Sequence, residues 1–317
     1  MDEYKMNKLK FSLYKLTMTK YDIVILTDQK HANPTTIDDY TKNVLTEDAL
    51  VANALGQLGL NVIRLAWSDP SFDWSSTKAV LFRTTWDYFD DFPKFSTWLN
   101  DVSKVTTLIN SEALIRWNID KHYLRDLKHN GVHIAETLFI EKGSNKTLKE
   151  LHADVNWKDT VLKPCISGAA RHTYKLNPEN IADHESIFAE LIKDEAMMLQ
   201  PFQHNIVSEG EVSMMVFNGQ FTHAVLKKAK AGDFRVQDDF GGTVQDYTPT
   251  KEEIQFAIDT VKACKELPLY ARVDIFNDNH GHIALAELEI IEPELWFRNH
   301  PEAAHVLAEG IKEKLTN

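Results

Sequence analysis

Asp274, Glu287 and Glu289 are the residues of this chain best suited to do chemistry. They stand on two β-rich runs, residues 270–276 (YARVDIF) and 282–290 (HIALAELEI), joined by a turn around residues 277–281. Side chains alternate along a strand, so Arg272, Asp274 and Phe276 share one face, and Glu287 and Glu289 share one face of the next run. Hairpin pairing that sets Asp274 against the glutamates puts it opposite Glu287 or diagonal to it, with the carboxylates roughly 5–8 Å apart. Carboxylates that close repel unless a cation lies between them, and their hard oxygens suit Mg²⁺, which is often shared with substrate phosphates. A solvated acidic face is the competing account. Against it, Ala271, Val273 and Ile275 cover one side and Ala284, Leu288 and Ile290 another, which anchors the hairpin and leaves the charged side for a site.

A second candidate is the strand end Val161-Leu162-Lys163-Pro164, which runs into the small-residue loop Cys165-Ile166-Ser167-Gly168-Ala169-Ala170-Arg171. Small side chains let backbone N–H groups approach phosphate oxygens, and Lys163 adds a point charge. No GK[ST] follows at the required spacing, so this is not a Walker loop, and an ordinary loop of small residues stays open as an account. In Met197-Met198-Leu199-Gln200-Pro201-Phe202, an adenine ring could lie on Met198 or Leu199 and bond backbone near Gln200 and Phe202. Plain core is the alternative for such a stripe. The segment 229–243, with Gly232, Gly241 and Gly242, has the length and glycine content of a closing loop. Cys165 lies beside the cradle without an assignable base. His280 and His282 flank a turn glycine, where zinc binding and exposed turn imidazoles are both open.

These groups need elements to hold them. Residues 21–27 (YDIVILT), 61–66 and 79–82 read as strands, with helices from Thr46, as a cap, to about 58 and from about 93 to 102, and a short strand at 107–109. Alternating strands and helices imply an open parallel sheet over residues 21–115. Asn118 is expected to cap a helix carrying Lys121 and ending near Gly131. Strands at 137–140, 159–164 and 196–201 and a helix at 180–193 fill a central region, 116–197. Residues 198–317 hold two hairpins, the first turning at Asn218-Gly219 as type I′. A Thr250/Glu253 capping box starts a helix there, and a last helix closes the chain.

The bulk numbers set limits. The 317 residues are 43% hydrophobic and 26% charged, enough for two or three packed subdomains. A formal net charge of -12 and a pI near 5.5 argue against a nucleic-acid or anionic-membrane surface. Two cysteines, Cys165 and Cys264, without metal-like spacing suggest a reducing cytoplasm. Residues 1–20 carry five lysines among scattered apolar residues, without a long apolar stretch or a small-residue cleavage site, and read as a poorly ordered extension rather than a signal peptide.

Lys121, Lys163 with its small-residue loop, the Gln200 strand, Glu211, Arg272-Val273-Asp274 and Glu287-Leu288-Glu289 follow one another in an order that resembles the ATP-grasp superfamily. The resemblance spans roughly residues 21 to 315. It implies an N-terminal α/β domain and two α+β subdomains holding ATP between them. It further implies phosphate contacts from Lys121, Lys163 and the Ser167-Gly168-Ala169 cradle, an adenine hinge at Gln200 and Phe202, a ribose contact at Glu211, and Mg²⁺ ligands in Asp274, Glu287 and Glu289. The third ligand is often Asn in that superfamily, so Glu289 makes this site more acidic. Leu81 to Tyr88 (LFRTTWDY), Trp117 to Lys121 (WNIDK), Phe234 to Gln237 (FRVQ) and Gly241-Gly242 are similar to the branch containing D-cycloserine-forming cyclo-ligases. That similarity makes Arg83, Thr84, Asp87, Arg171, Gly241 and Gly242 substrate-side candidates. An Arg83–Asp87 structural ion pair is equally open.

The implied activity is an ATP- and Mg²⁺-dependent ligase that phosphorylates a small-molecule carboxyl-type group and displaces the phosphate with an amine. Lys163, Arg272 and Arg235 would stabilise the transferring group and the oxyanion. A non-catalytic nucleotide-binding module and a ligase acting on a peptide or protein tail are the alternatives. A homodimer is the default assembly.

Overall fold

The computed structural model describes residues 19–168, 171–230 and 241–316. The expected extension at 1–20 therefore lies almost wholly outside the described residues. The chain divides into two compact units, one of residues up to 112 together with 291–317, the other of residues 113–290.

The first unit is built on a four-stranded parallel sheet in the order β2-β1-β3-β4, with β1 Tyr21–Thr27, β2 Val62–Ala66, β3 Thr77–Thr84 and β4 Thr107–Ile109. Ile23, Val24, Ile25, Leu26, Val80 and Leu81 are wholly buried, as in a parallel sheet covered on both faces. The helix Asp39–Gln57 starts well before the expected Thr46 cap. Asp38 caps it by accepting from Thr41 N, while Thr46 sits inside and back-bonds Lys42 O at 2.7 Å. Helix Phe92–Val102 begins with proline in its first turn and buries Phe95 and Leu99.

The last segment corrects the expected 198–317 subdomain, because residues 291–317 belong to the first unit. Their helix Glu302–Thr316 packs on helix Asp39–Gln57. The buried Glu47 of that helix accepts the backbone N–H groups of Phe297 and Arg298, each at 2.9 Å. Those are charge-assisted bonds inside the fold, which no local pattern announces.

The second unit carries two sheets. One is antiparallel, in the order β5-β8-β6-β7, with β5 Leu138–Ile140, β6 Thr160–Pro164, β7 Tyr174–Leu176 and β8 Met197–Pro201. The expected boundary at 197 therefore falls at the start of a strand that pairs with the central region. The other sheet runs β11-β10-β9-β12-β13, with β9 Glu211–Phe217, β10 Gln220–Lys228, β11 Thr243–Tyr247, β12 Tyr270–Asn277 and β13 Ile283–Glu289. Asn218 (φ 51°) and Gly219 (φ 74°) make the β9–β10 turn with both central residues at positive φ, as type I′ requires. Helix Lys251–Lys262 opens with the Thr250/Glu253 capping box, and its Ala257 and Val261 share a core with Met214, Val216, Val273 and Leu288.

Gly210 precedes β9 at φ 100°, and a Cβ there would sit 2.5 Å from Lys227 O. Both the backbone conformation and the close strand contact demand glycine. Gly210→Ala is expected to destabilise the protein by about 3 kcal/mol. A urea midpoint equal to wild type would show that β9 and β10 need no such approach.

Candidate active site

The hairpin of β12 and β13 pairs Arg272 with Glu289 and Asp274 with Glu287, directly opposite one another. The register then shifts, so that Ile275 faces Leu285 and Ala286 is the extra residue of a bulge. Beyond the bulge the faces exchange. Leu285, not Ala284, joins Leu288 and Ile290 in the main core, while Ala284 packs with Phe276 and Ala135. The expected single apolar face through Ala284 is corrected accordingly. The bulge sits beside the acids and sets where Glu287 and Glu289 face.

β13 is an edge strand, and its outer polar groups find partners in two side chains. Asn118 Nδ2 donates to Leu288 O (2.8 Å), and Ile290 N donates to Asn118 Oδ1 (3.2 Å). Leu288 N donates to the hydroxyl of the buried Tyr123 (3.0 Å). Leu288 lies between Glu287 and Glu289, so these bonds fix the backbone carrying both carboxylates. Asn118 is thus not the expected helix cap. It is the last residue of helix Glu112–Asn118, and the next helix is Tyr123–His129. Lys121 lies between the two.

Asp274 is buried, at 2% exposure, and its carboxylate is saturated. Oδ1 accepts from Ser213 Oγ (2.6 Å) and Arg272 Nε (2.9 Å), and Oδ2 from Lys227 Nζ (3.1 Å) and an Arg272 terminal nitrogen (2.9 Å). The same guanidinium nitrogen grips Glu289. Lys227 Nζ also pairs with Glu211 (2.6 Å). On the other side, Lys121 Nζ pairs with Glu287 (2.8 Å) and donates to Ser167 O (2.7 Å), while Lys121 N donates to Cys165 O (2.9 Å). The phosphate-cradle loop and the acidic hairpin are therefore joined through one lysine. Lys163 is half-buried on β6 close to Glu287 and Lys121.

Four carboxylates (Glu211, Asp274, Glu287, Glu289) thus meet four cations (Lys121, Lys163, Lys227, Arg272) in one cluster. Burial alone would raise the Asp274 carboxyl, but Arg272 and Lys227 hold it at about 2. Burial also works against Glu287, yet Lys121 and Lys163 keep it below the ordinary carboxylate value. Glu289 goes the other way. Burial, reinforced by the carboxylates of Glu287 and Asp274, pushes it up to about 7 in spite of Arg272. Burial depresses Lys163, whereas Asp274 and Glu211 hold Lys227 charged against the same burial penalty.

At the expected hinge, Phe202 N donates to Asp159 O (2.8 Å), and Phe202 O accepts from Asn279 Nδ2 (2.8 Å). An adenine nitrogen accepting from Phe202 N must therefore displace Asp159 O, whereas Phe202 O keeps a second lone pair for an adenine donor. The Gln200 side chain donates to Thr137 Oγ1 (2.9 Å), and Lys175 Nζ lies 3.6 Å from the Phe202 ring centroid. Gly168 O accepts from Arg171 N (3.0 Å), and Arg171 pairs with Glu195 and reaches Ile166 O, bracing the cradle loop. Ala169, Arg235, Phe234, Gln237 and Gly232 lie outside the described residues. Gly241, at φ 81°, and Gly242 lie just beyond that stretch.

In the first unit Arg83 is 3% exposed and faces Asp48 (3.7 Å), Glu47 (3.9 Å) and Pro293 O (3.0 Å), with its guanidinium 5.3 Å from the Phe297 ring centroid. The Arg83–Asp87 ion pair is not the one formed. Asp87 accepts instead from Trp67 Nε1 (2.6 Å) and more distantly from Gln29 N (3.5 Å). Thr84 is buried, and its carbonyl accepts from Asp28 N (2.7 Å).

Lys227, Ser213, Tyr123 and the strand-clamping role of Asn118 escaped the sequence reasoning. Lys227 had a misleading signal: the Asn218-Gly219 turn register alone sets Leu226 opposite Glu211, and an irregularity at Thr222 shifts the pairing by one residue and brings Lys227 there instead. Asn118 and Tyr123 act across 170 and 165 residues of sequence and had none.

A lysine bonded to both a small-residue loop and an acidic antiparallel hairpin, in a unit of two sheets, with a parallel α/β unit in the same chain, is the pattern of an ATP-grasp protein. The chain has the fold of ATP-grasp ligases, which are ATP-dependent. Residues 160–290 match the RimK-like ATP-grasp domain, and residues 23–110 match the N-terminal domain of D-cycloserine synthetase DcsG. The cycloserine biosynthesis protein DcsG of Streptomyces lavendulae is 28% identical over 271 residues, covering 78% of this chain and 87% of that protein. The crystal structure of D-cycloserine synthetase DcsG superposes with a TM-score of 0.81 at 24% identity, over 92% of this chain and 99% of that one. An ATP-bound D-alanine–D-alanine ligase from Bacillus anthracis shares the fold with a TM-score of 0.61 at 13% identity, over 93% and 97%. Among the described residues, no helix is long and apolar enough to cross a membrane.

Proposed function

We propose that this ligase phosphorylates a carboxyl-type group of a small molecule with ATP and closes an amine of the same molecule onto the activated carbon. A substrate oxygen attacks the γ-phosphorus and ADP leaves. The amine then attacks the acyl carbon, inorganic phosphate leaves, and the amine proton passes to solvent or a nearby base. One observation carries the ATP half: Lys121 bonds both the Ser167 carbonyl of the cradle and Glu287 of the acidic hairpin. The similarity of residues 23–110 and of the chain as a whole to the cycloserine-forming protein supports the cyclising half.

Asp274, Glu287 and Glu289 supply only hard carboxylate oxygens, a donor set that fits Mg²⁺. When bound, Mg²⁺ would neutralise β- and γ-phosphate charge. Lys121 would turn from Glu287 toward phosphate, while the charge of Lys163 continues to act on Glu287. Because its four acids and four bases already balance, the cluster suits a triphosphate that arrives with its own divalent counter-ions. Arg272 keeps Asp274 and Glu289 in place. We place the protein in the cytoplasm, acting on a small molecule rather than nucleic acid or membrane.

ADP release measured against amino acids, dipeptides and ureido- or hydroxyamino-acid derivatives tests this function. Equimolar ADP and phosphate with one substrate class, and a cyclised product without a second amine, are expected. Tight ATP binding with no ADP release across the panel would instead indicate a nucleotide-binding module.

Glu289 also sets a pH dependence. With its carboxyl near 7, ion binding displaces a proton from part of the population at neutral pH. Mg²⁺ affinity should rise between about pH 6 and pH 8 with measurable proton release, and a pH-independent affinity would contradict the assignment. In the ion-free protein the sign reverses. A carboxyl raised above its ordinary 4.5 contributes stability that is full below that value and lost as pH rises through about 7.

A further inference from the structure

We propose that His133, Asp278 and His282 form a second metal site, separate from the acidic hairpin face and suited to Zn²⁺. The sequence pairs His280 with His282 across the turn glycine, but the fold replaces His280 with a histidine 145 residues from Asp278. His133 Nε2 lies 2.9 Å from Asp278 Oδ2, His282 Nδ1 lies 3.9 Å from the same oxygen, and all three ligand atoms fall within 4.8 Å of one another. Zinc bonds of about 2.0–2.1 Å at tetrahedral angles separate ligand atoms by about 3.3 Å, so small side-chain rotations close the set.

The carboxylate is prepared for this role. Asp278 Oδ1 accepts the backbone N–H groups of His280 (2.8 Å) and His282 (2.9 Å), which leaves Oδ2 to face the two imidazoles. Asp278 is 7% exposed, while the side chains of His133 and His282 are at least half exposed, so an ion has an entry path and a fourth position for water. Two imidazoles and one carboxylate with an open position suit Zn²⁺ better than Mg²⁺, which prefers oxygen ligands and retains several waters. Without an ion, His133 Nε2 and Asp278 Oδ2 are hydrogen-bonded to one another, and the metal takes the place of that bond.

The ligands stand on backbone that is already fixed. Leu285 N donates to His133 O (2.9 Å), and Asp278 N donates to His282 O (2.8 Å). The neighbouring Asn279 reaches Phe202 O, and Asn205 Nδ2 reaches Asp278 O (2.6 Å). A bound ion therefore staples the β12–β13 turn to the segment entering β5, next to the hinge after β8.

The full-length protein, titrated with Zn²⁺ in Mg²⁺-containing buffer by calorimetry, tests the site. Wild type and His280→Ala should bind one equivalent that His133→Ala and His282→Ala each lose, and Zn²⁺ should raise the Tm of the first pair but not the second. Both substituted imidazoles are exposed, so unchanged ion-free Tm values verify folding. No binding below millimolar Zn²⁺, or an equivalent that survives His133→Ala and His282→Ala, would overturn the proposal. Loss of that equivalent in His122→Ala instead would also overturn it, placing the ion at the Asp120, His122 and Cys165 group.

Discussion

Asp274→Asn is expected to leave a folded protein whose substrate-dependent ADP release is at least about 1000-fold slower. The asparagine keeps the shape of the side chain and one acceptor for Ser213, Arg272 and Lys227, but removes the charge that a divalent ion would require. Alanine is a poorer test. It would leave Arg272 and Lys227 facing a void in the core, since both donate to the Asp274 carboxylate. Removing one partner of a buried pair costs roughly 3–5 kcal/mol, so the alanine variant would confuse unfolding with lost chemistry. Matched circular dichroism spectra and urea midpoints for wild type and Asp274→Asn, followed by ADP release, separate the two effects. Full turnover in the folded asparagine variant would remove Asp274 from the metal assignment.

The second large effect concerns Arg272. Its guanidinium bonds Asp274 and Glu289 from a nearly buried position, and these acids in turn hold it firmly protonated. Arg272→Met retains much of the apolar stem but strands two carboxylates. We expect destabilisation of roughly 3–5 kcal/mol in the ion-free protein, read from urea midpoints at neutral pH. Part of that loss should be recovered at low pH. Without Arg272, Glu289 lacks its principal cation, and protonation then relieves its repulsion from Glu287 and Asp274. A midpoint shift that is the same at pH 5 and pH 8 would show that Arg272 contributes by packing alone.

Much of this architecture was legible because it rests on local rules. The Asn218-Gly219 hairpin, the Thr250/Glu253 box, and the alternation that puts Arg272 and Asp274 on one face all depend on neighbours in sequence. The bulge at Ala286 was not legible. It alters the register by one residue, and period-2 counting from Leu288 back to Ala284 passes through it unnoticed. Asn118 read as a helix cap because asparagine favours caps, yet its amide is used 170 residues away to satisfy an edge strand. Glu47 drew no attention on an amphipathic helix, although it fastens the C-terminal segment to the first unit. Long-range polar bonds of this kind have no periodicity to reveal them. Arg83 shows the converse: it was singled out for chemistry, and the fold surrounds it with Asp48, Glu47 and a backbone carbonyl.

The most direct test is a crystal structure of the protein with Mg²⁺ and a non-hydrolysable ATP analogue. We predict divalent ions about 2.0–2.1 Å from oxygens of Asp274, Glu287 and Glu289, with Lys121 moved from Glu287 to a phosphate oxygen. A triphosphate bound elsewhere, with the Lys121–Glu287 pair intact and no ion between the acids, would contradict it.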